Sequence, residues 1–306
     1  MSEPVVECVP NFAEGVDLRR VEAIVAAMRV EGVRLLDWTM NADHGRTVVT
    51  IAGPPQAVVE AAVRGAGRAA ELIDLTSQQA AHPRIGAADV IPFVPVSGIK
   101  LEQCALLARQ AGLEIWRRFS IPVYFYEAAA ARPDRANLDE VRSGQFEELR
   151  EAVRKDSSRR PDLGGPGLHP TAGACAVGAR RFLVSVNLAF DSGDMTMLRS
   201  IARELRPAAS GLKGVKALAV LPRGRAQLAL NISDFAATPV SQVYRKVCAL
   251  AQRFRAAPVS GEVIGLIPEA ACERESEWMR LMVEFDPETK ILERRLAAPM
   301  AWPGEQ

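Results

Sequence analysis

His82-Pro83-Arg84-Ile85-Gly86-Ala87-Ala88-Asp89-Val90-Ile91-Pro92-Phe93-Val94-Pro95-Val96 joins an imidazole and a guanidinium to an apolar run. The run from Val90 to Val96 reads as a buried strand, and Pro83 and Gly86 mark a loop leading into it. Upstream, Val5 to Val9 is a short apolar strand closed by Pro10-Asn11. Leu18, Val21, Ile24, Val25 and Met28 then recur at helical spacing. Val33 to Asp37 and Thr47 to Ala52 are strand-like, separated by Asn41-Ala42-Asp43-His44-Gly45-Arg46, and Pro54 to Ile73 reads as a helix with proline in its first turn. With the strand from Val90 the order becomes β-α-β-β-α-β, the split arrangement of ferredoxin-like folds.

Downstream, Leu101 to Arg118 is helical, Ile121 to Tyr126 a strand, and Leu138 to Arg154 helical again. The stretch from Pro161 to Gly173 is so rich in glycine and proline that it reads as a loop, and loops of this length tend to be functional or disordered. The element order then repeats without sequence identity. Phe182 to Phe190 is a strand, Met195 to Leu205 a helix, Val215 to Leu221 and Ala226 to Ile232 strands, Val240 to Phe254 a helix, and Val263 to Ile267 a last strand. The tail holds one helical pattern, Glu275 to Met282, and a polar stretch that need not pack tightly. The fold class is therefore α/β (α+β), two ferredoxin-like units of residues 1–178 and 179–306, with the boundary near the breaker-rich loop.

At 306 residues with 48% apolar and 25% charged residues, the composition is that of a soluble globular protein. A net charge of +1 gives no field for nucleic acid, and no apolar stretch approaches the ~20 residues of a membrane span. The start, Met1-Ser2-Glu3-Pro4, has no secretory pattern. Five scattered cysteines without CxxC spacing argue against disulfides and structural zinc, and they fit a reducing cytoplasm. No phosphate loop, strand-borne GxGxxG, HExxH or GxSxG motif is present, and three separated histidines support no metal site.

The three histidines, His44, His82 and His169, all sit among loop-forming residues, which favours a site over packing. Proline after His82 biases that histidine to an extended conformation at the start of a strand, and its ordinary pKa suits proton shuttling. Arg84 offers a planar fork for a carboxylate; the bland alternative is a structural ion pair, to Asp89 or Glu127. His44 reads as exposed or structural. Arg46 begins a strand and could hold an apolar stem inward with its charge at a ligand. Tyr124 and Tyr126 read as core tyrosines with hydrogen-bonded hydroxyls, and Asn231-Ile232-Ser233-Asp234-Phe235 as turn chemistry.

Val6-Glu7-Cys8-Val9-Pro10-Asn11-Phe12-Ala13-Glu14-Gly15 resembles the opening of the glutamate formimidoyltransferase family, and His82 to Val96 its central motif. Ile121 to Glu127, Gly144-Gln145-Phe146-Glu147, Gly178 to Leu183, Gln227 to Asn231 and Gly265-Leu266-Ile267-Pro268 are similar to it in the same order. The resemblance implies two α/β subdomains with facing sheets, a homodimer in the cytoplasm, and no partner beyond small molecules. It implies transfer of the formimino group of N-formimino-L-glutamate to tetrahydrofolate as co-substrate, in histidine degradation and one-carbon metabolism, with no metal. The resemblance covers the transferase part of the family and not the cyclodeaminase domain of the animal enzymes. The family's proton-transferring histidine falls on His82. Its folate-contacting loop falls on Gly164, Gly165, Pro166, Gly167, Leu168, His169, Pro170, Thr171, Ala172 and Gly173, whose glycines admit close approach to a flat ring.

The two substrate carboxylates call for cations, and Arg46, Arg84 and Arg180 are the candidates. Family members commonly carry a histidine and a glycine where this chain has Gln78-Gln79-Ala80-Ala81, and some carry an acidic residue at Thr39. These differences leave open a formyl-group reaction on folate in the same pocket. A non-catalytic folate-binding protein is the other alternative.

Overall fold

The computed structural model describes residues 3–42, 44–78, 83–206, 212–221 and 224–304. The chain forms two compact units, one running to Arg180 and rejoined by the tail from Pro299, the other Arg181–Ala298.

The first unit contains β1 (Val5–Cys8), β2 (Asn11–Phe12), α1 (Leu18–Ala27), β3 (Arg34–Asn41), β4 (Arg46–Gly53), α2 (Pro55–Leu72) and β5 (Ala88–Ser97). These are followed by α3 (Leu101–Phe119), β6 (Val123–Glu127), α4 (Leu138–Val141), α5 (Gln145–Lys155) and β7 (Cys175–Ala179). Asp17 starts α1 by accepting the N–H groups of Arg19 and Arg20, and α2 opens on Pro55, where no N–H is required. In the sheet, β1 and β2 both lie between β4 and β5, β3 flanks β4, and β7 then β6 continue beyond β5. The β5–β7 and β7–β6 ladders are parallel and the others antiparallel. Pro92 is tolerated inside a central strand because it stands opposite Val9-Pro10, where the ladder between β1 and β2 is already broken.

Alternation assigns the faces. Val6, Cys8, Val49, Ile51, Ile91, Phe93 and Val177 pack with α1, α2 and α3 in one core. On the opposite face, Val90, Tyr124, Tyr126 and Ala176 meet Val141, Leu149 and Val153 of α4 and α5. With both faces covered, β5 is buried from Ala88 to Val94, which is why its sequence does not alternate.

The second unit runs β8 (Val184–Phe190), α6 (Met195–Glu204), β9 (Val215–Val220), β10 (Gln227–Ile232), α7 (Val240–Gln252) and β11 (Pro258–Ile264). Its antiparallel sheet has the order β11-β8-β10-β9. Val184, Val186, Leu188 and Phe190 face the helices, and the intervening residues of β8 are partly exposed. The β-α-β-β-α-β order thus occurs in both units, with β2 as an interruption of the first strand in unit one. The protein is a mixed α/β protein with two sheets.

Three expectations need correction. The helix expected from Leu138 to Arg154 is two helices, because Gly144 takes a φ of 82° and restarts the chain as the N-cap of α5. Cys175–Ala179, which carries no strand pattern, is a parallel strand held between β5 and β6. The tail does pack: Met300 donates its N–H to the Leu35 carbonyl at 2.8 Å, and Trp302 enters the first core. Among the described residues no helix is long and apolar enough to cross a membrane.

Candidate active site

The segment between α2 and β5 carries the histidine on which the sequence reading turns. His82 and residues 79–81 lie outside the described residues; both flanks are held by arginines. Before it, the Gln78 carbonyl accepts from Arg84 Nη2 at 2.7 Å, and the Leu75 carbonyl accepts from the same nitrogen at 3.4 Å. After it, the Pro83 carbonyl accepts from Arg142 Nη2 at 2.9 Å. Arg142 is in turn 3.7 Å from the buried carboxylate of Asp89, which accepts the Ile85 N–H at 2.8 Å. Burial pushes the Asp89 carboxyl above its ordinary range, while Arg142, backbone donors and Arg46 oppose the shift.

Arg84 is 4% exposed. It pairs with Glu147 of α5 at 3.1 Å, neither with Asp89 nor with Glu127. Its backbone carbonyl accepts the Phe146 N–H at 2.8 Å, so Arg84 joins α5 to the histidine segment twice. Its Nε is buried without a hydrogen-bond partner among the described residues.

Arg46, Arg84, Asp89, His44, Phe12 and Ala13 line one small cleft, with a cavity volume of about 10 Å3. Arg46 is only partly covered as a residue, yet its guanidinium lies deep enough that desolvation lowers its pKa to about 10, opposed by Asp89 and assisted by Arg142. His44 is exposed, its N–H donated to Asn41 Oδ1 at 3.0 Å. Arg180 stands apart from this cleft. Its N–H donates to the Phe93 carbonyl at 3.0 Å, continuing the β5–β7 ladder by one residue. Near it Glu7 of β1 is 2% exposed, and burial raises its pKa to about 7 against the pull of Arg180.

The breaker-rich loop is stitched to the same segment. His169 and Gly173 exchange backbone hydrogen bonds at 2.8 and 3.1 Å, and His169 Nδ1 accepts the Ala172 N–H at 3.0 Å. The Thr171 carbonyl accepts from Leu75, the Ala172 carbonyl from Ala87, and the Ala174 N–H donates to Ile85. These bonds join the loop end to the chain before residue 79 and after residue 82. Gly173 has a φ of 71°, and a Cβ there would sit 2.1 Å from the Ile85 carbonyl oxygen. Its small size is therefore used by the protein's own backbone. Gly167, by contrast, has open space where a Cβ would be.

Tyr124 behaves as a core tyrosine, its hydroxyl donating to the Arg159 carbonyl at 2.7 Å with the Arg135 guanidinium 4.7 Å above its ring. Ser185 donates its hydroxyl to the Asn231 side chain across β8 and β10; Asn231 lies in the last two residues of β10, and Asp234 beyond it accepts the Ala237 N–H as turn chemistry requires. Among the described residues no three His, Cys, Asp or Glu side chains gather in a way that could hold a metal ion. Arg142 and Glu7 are charged residues that sequence pattern alone passed over, and Asp89 enters it only as an ion-pair partner for Arg84. For Glu7 a clue exists, since it is the one ionisable side chain in the apolar strand Val5 to Val9 besides Cys8.

Residues 5–180 match the Formiminotransferase domain, N-terminal subdomain, and residues 186–291 match the Formiminotransferase domain. The chain belongs to the formiminotransferase family. It is 40% identical over 296 residues to the glutamate formimidoyltransferase of Thermoplasma acidophilum, covering 95% of this chain and 97% of that one. The glutamate formimidoyltransferase of Streptococcus pyogenes serotype M1 is 37% identical over 295 residues, covering 95% and 98%. The formimidoyltransferase-cyclodeaminase of Gallus gallus is 37% identical over 275 residues, and the match spans 87% of this chain and 50% of that protein. Members of this family are transferase enzymes, and the cleft brings the buried Arg84 and Asp89 together with Arg46.

Proposed function

We propose that this chain is a glutamate formimidoyltransferase that moves the formimino group from N-formimino-L-glutamate to N5 of tetrahydrofolate, releasing L-glutamate. The observation that carries the reading is the 40% identity to a glutamate formimidoyltransferase over nearly the whole of both chains. The chemistry asks little beyond proton handling. The pterin N5 forms a bond to the formimino carbon and loses its proton, and the bond from that carbon to the glutamate nitrogen breaks as the nitrogen gains one. One imidazole of near-neutral pKa serves both transfers through a tetrahedral intermediate, with no covalent enzyme adduct, and His82 is assigned that role.

Arg46 and Arg180 are assigned to the substrate carboxylates. Arg84 shares the cleft, but its Nη2 already faces two carbonyls and a carboxylate, so its assigned work is to hold the histidine segment. The loop from Gly164 to Gly173 is assigned to folate, because its 169–174 end is hydrogen-bonded to the segments flanking His82. A cytoplasmic homodimer working on histidine-derived formiminoglutamate completes the reading.

Purified protein mixed with tetrahydrofolate and N-formimino-L-glutamate should release L-glutamate in step with the formimidoyl-folate product. Tetrahydrofolate binding without glutamate release would favour a non-catalytic folate-binding protein. Faster transfer from N-formyl-L-glutamate would favour a formyl-group enzyme.

A further inference from the structure

Tyr124 and Arg135 are buried side chains that converge on one short piece of chain. Arg135, 2% exposed, ends the single turn Pro133–Arg135 that follows β6. Its Nη2 donates to the Ser158 carbonyl at 2.8 Å and to the Arg160 carbonyl at 2.9 Å. The carbonyl between them, that of Arg159, accepts the Tyr124 hydroxyl at 2.7 Å, and the Arg135 guanidinium lies 4.7 Å over the Tyr124 ring. Consecutive carbonyls are thus held by two stacked side chains, with Arg132 Nη2 a further donor to Ser158 at 3.1 Å. Among the described residues Arg135 forms no ion pair with a carboxylate, and its Nε is buried without a partner. A buried guanidinium without a paired carboxylate is costly, and packing alone would be served better by an apolar side chain.

The piece they hold is the entry to the breaker-rich loop. Just after it, Asp162 and Leu163 donate their N–H groups to the Val123 carbonyl at 2.8 and 3.1 Å, and Asp162 Oδ2 accepts the Phe125 N–H at 2.7 Å. Gly164 then lies against Trp116 of α3, where a Cβ would come within 2.7 Å of the ring. At the far end, His169 and Gly173 are fastened to each other by two backbone hydrogen bonds. Gly165 to Leu168 is the span between these anchors, and Gly167 within it has open space where a Cβ would be. A span whose ends are fixed has few conformations to lose when it closes on a ligand, so less of the binding energy is offset by ordering.

We propose that Arg135 and Tyr124 are positioning residues for the folate co-substrate: by holding the carbonyls of Ser158, Arg159 and Arg160 they fix the loop entry, and Gly165 to Leu168 meets tetrahydrofolate already ordered. This rests on the transferase reading above and on its assignment of the loop to folate. Neither side chain touches the ligand in this arrangement. A staple of the fold would support stability without favouring one substrate. A clamp on the loop entry acts on tetrahydrofolate affinity and leaves N-formimino-L-glutamate binding and the proton transfers as they are.

The carbonyl held by Tyr124 belongs to the Arg159–Arg160 bond, a trypsin site that is cut readily only when its segment is released, and Pro161 protects the bond after Arg160. Tyr124→Phe and Arg135→Met should each speed tryptic nicking after Arg159 by about ten-fold or more, read by mass spectrometry, and saturating tetrahydrofolate should slow it again. By calorimetry the Kd for tetrahydrofolate should rise roughly three-fold in Tyr124→Phe and roughly ten-fold in Arg135→Met, the scale of the ordering cost that the clamp removes. In turnover the KM for tetrahydrofolate should rise in step, while kcat and the KM for N-formimino-L-glutamate stay within about two-fold. Arg135→Lys, which keeps a donor, should recover part of the affinity. Tyr124→Phe, which removes a single oxygen, carries the test if Arg135→Met does not fold. Faster nicking with unchanged tetrahydrofolate affinity, or an equal rise in both KM values, overturns the proposal in a protein that releases glutamate. Wild type that does not bind tetrahydrofolate removes the transferase reading and this proposal with it.

Discussion

The guanidinium of Arg142 donates from Nη2 to the carbonyl oxygen of Pro83 at 2.9 Å. Arg142 closes α4 as its C-cap, and Pro83 follows the proposed proton-transfer residue in the chain, so one hydrogen bond ties a helix end to the residue next to it in sequence. The buried carboxylate of Asp89 sits 3.7 Å from the other arm of the same guanidinium and holds it in place. We propose that this brace positions the neighbouring His82.

Arg142→Met should therefore lower kcat by about 10–100-fold while the KM for tetrahydrofolate stays within about three-fold, since an error of about 1 Å in a catalytic group costs that much. Arg142→Lys keeps the charge near Asp89 and should recover part of the loss. Steady-state kinetics on both variants decides the matter. A change in KM alone would refute the brace.

His82→Ala should lower kcat by ~10²–10⁴-fold, the range for a positioned acid–base group. The pH–rate profile should lose the ionisation assigned to imidazole. Turnover near that of wild type would end the assignment.

Arg84→Lys keeps a charge but moves the donor away from the Nη2 position that serves Leu75, Gln78 and Glu147. Glu147 is 56% exposed, so its ion pair adds little, and the buried carbonyl contacts carry the effect. A loss of about 2 kcal/mol corresponds to a melting temperature lower by roughly 3 °C in a protein of this size. The KM for N-formimino-L-glutamate should change by less than about three-fold. An intact melting temperature with a raised KM would instead make Arg84 a ligand for the substrate carboxylate.

Two loop glycines should respond in opposite ways. Gly173→Ala places a Cβ against the Ile85 carbonyl in a left-handed conformation and should lower the melting temperature of the ligand-free protein. Gly167→Val meets open space and should leave that temperature unchanged. If the loop binds folate, Gly167→Val should weaken tetrahydrofolate by about ten-fold or more, the cost of an obstructed close approach. Unchanged affinity by calorimetry would remove the loop from the folate site.

Glu7 also marks the pH dependence of stability. Its carboxyl titrates at about 7 folded and 4.5 unfolded, so the folded state holds the proton more tightly. The stability it contributes is complete below pH 4.5 and is lost as pH rises through 7. The full difference is about 3 kcal/mol at 1.36 kcal/mol per pH unit. Between pH 5 and 8 the melting temperature of wild type should fall relative to that of Glu7→Gln. Parallel curves for the two proteins would show that Glu7 does not titrate there.

Local pattern determined much of this protein by itself. The apolar face of α1, at Val21, Ile24 and Val25, and the alternation of Val184, Val186, Leu188 and Phe190 along β8 follow from matching a period to a buried surface. The unbroken apolar run of β5 announces a strand covered on both faces for the same reason. Histidine and arginine amid glycine and proline single out, in the sequence, the segment proposed for the site. Only the tertiary structure decided the remainder. Cys175–Ala179 is five small or apolar residues with no period, and it becomes a strand because β5 and β6 offer unpaired edges on either side. Arg84 takes Glu147 instead of Asp89, and Asp89 takes Arg142, because ion-pair partners are set by which helix ends meet the loop. Glu7 and Arg180 are 173 positions apart in the chain and share a row through strand register. A sequence period reports which side of an element is buried, but the identity of the facing residue depends on contacts closed by the whole chain.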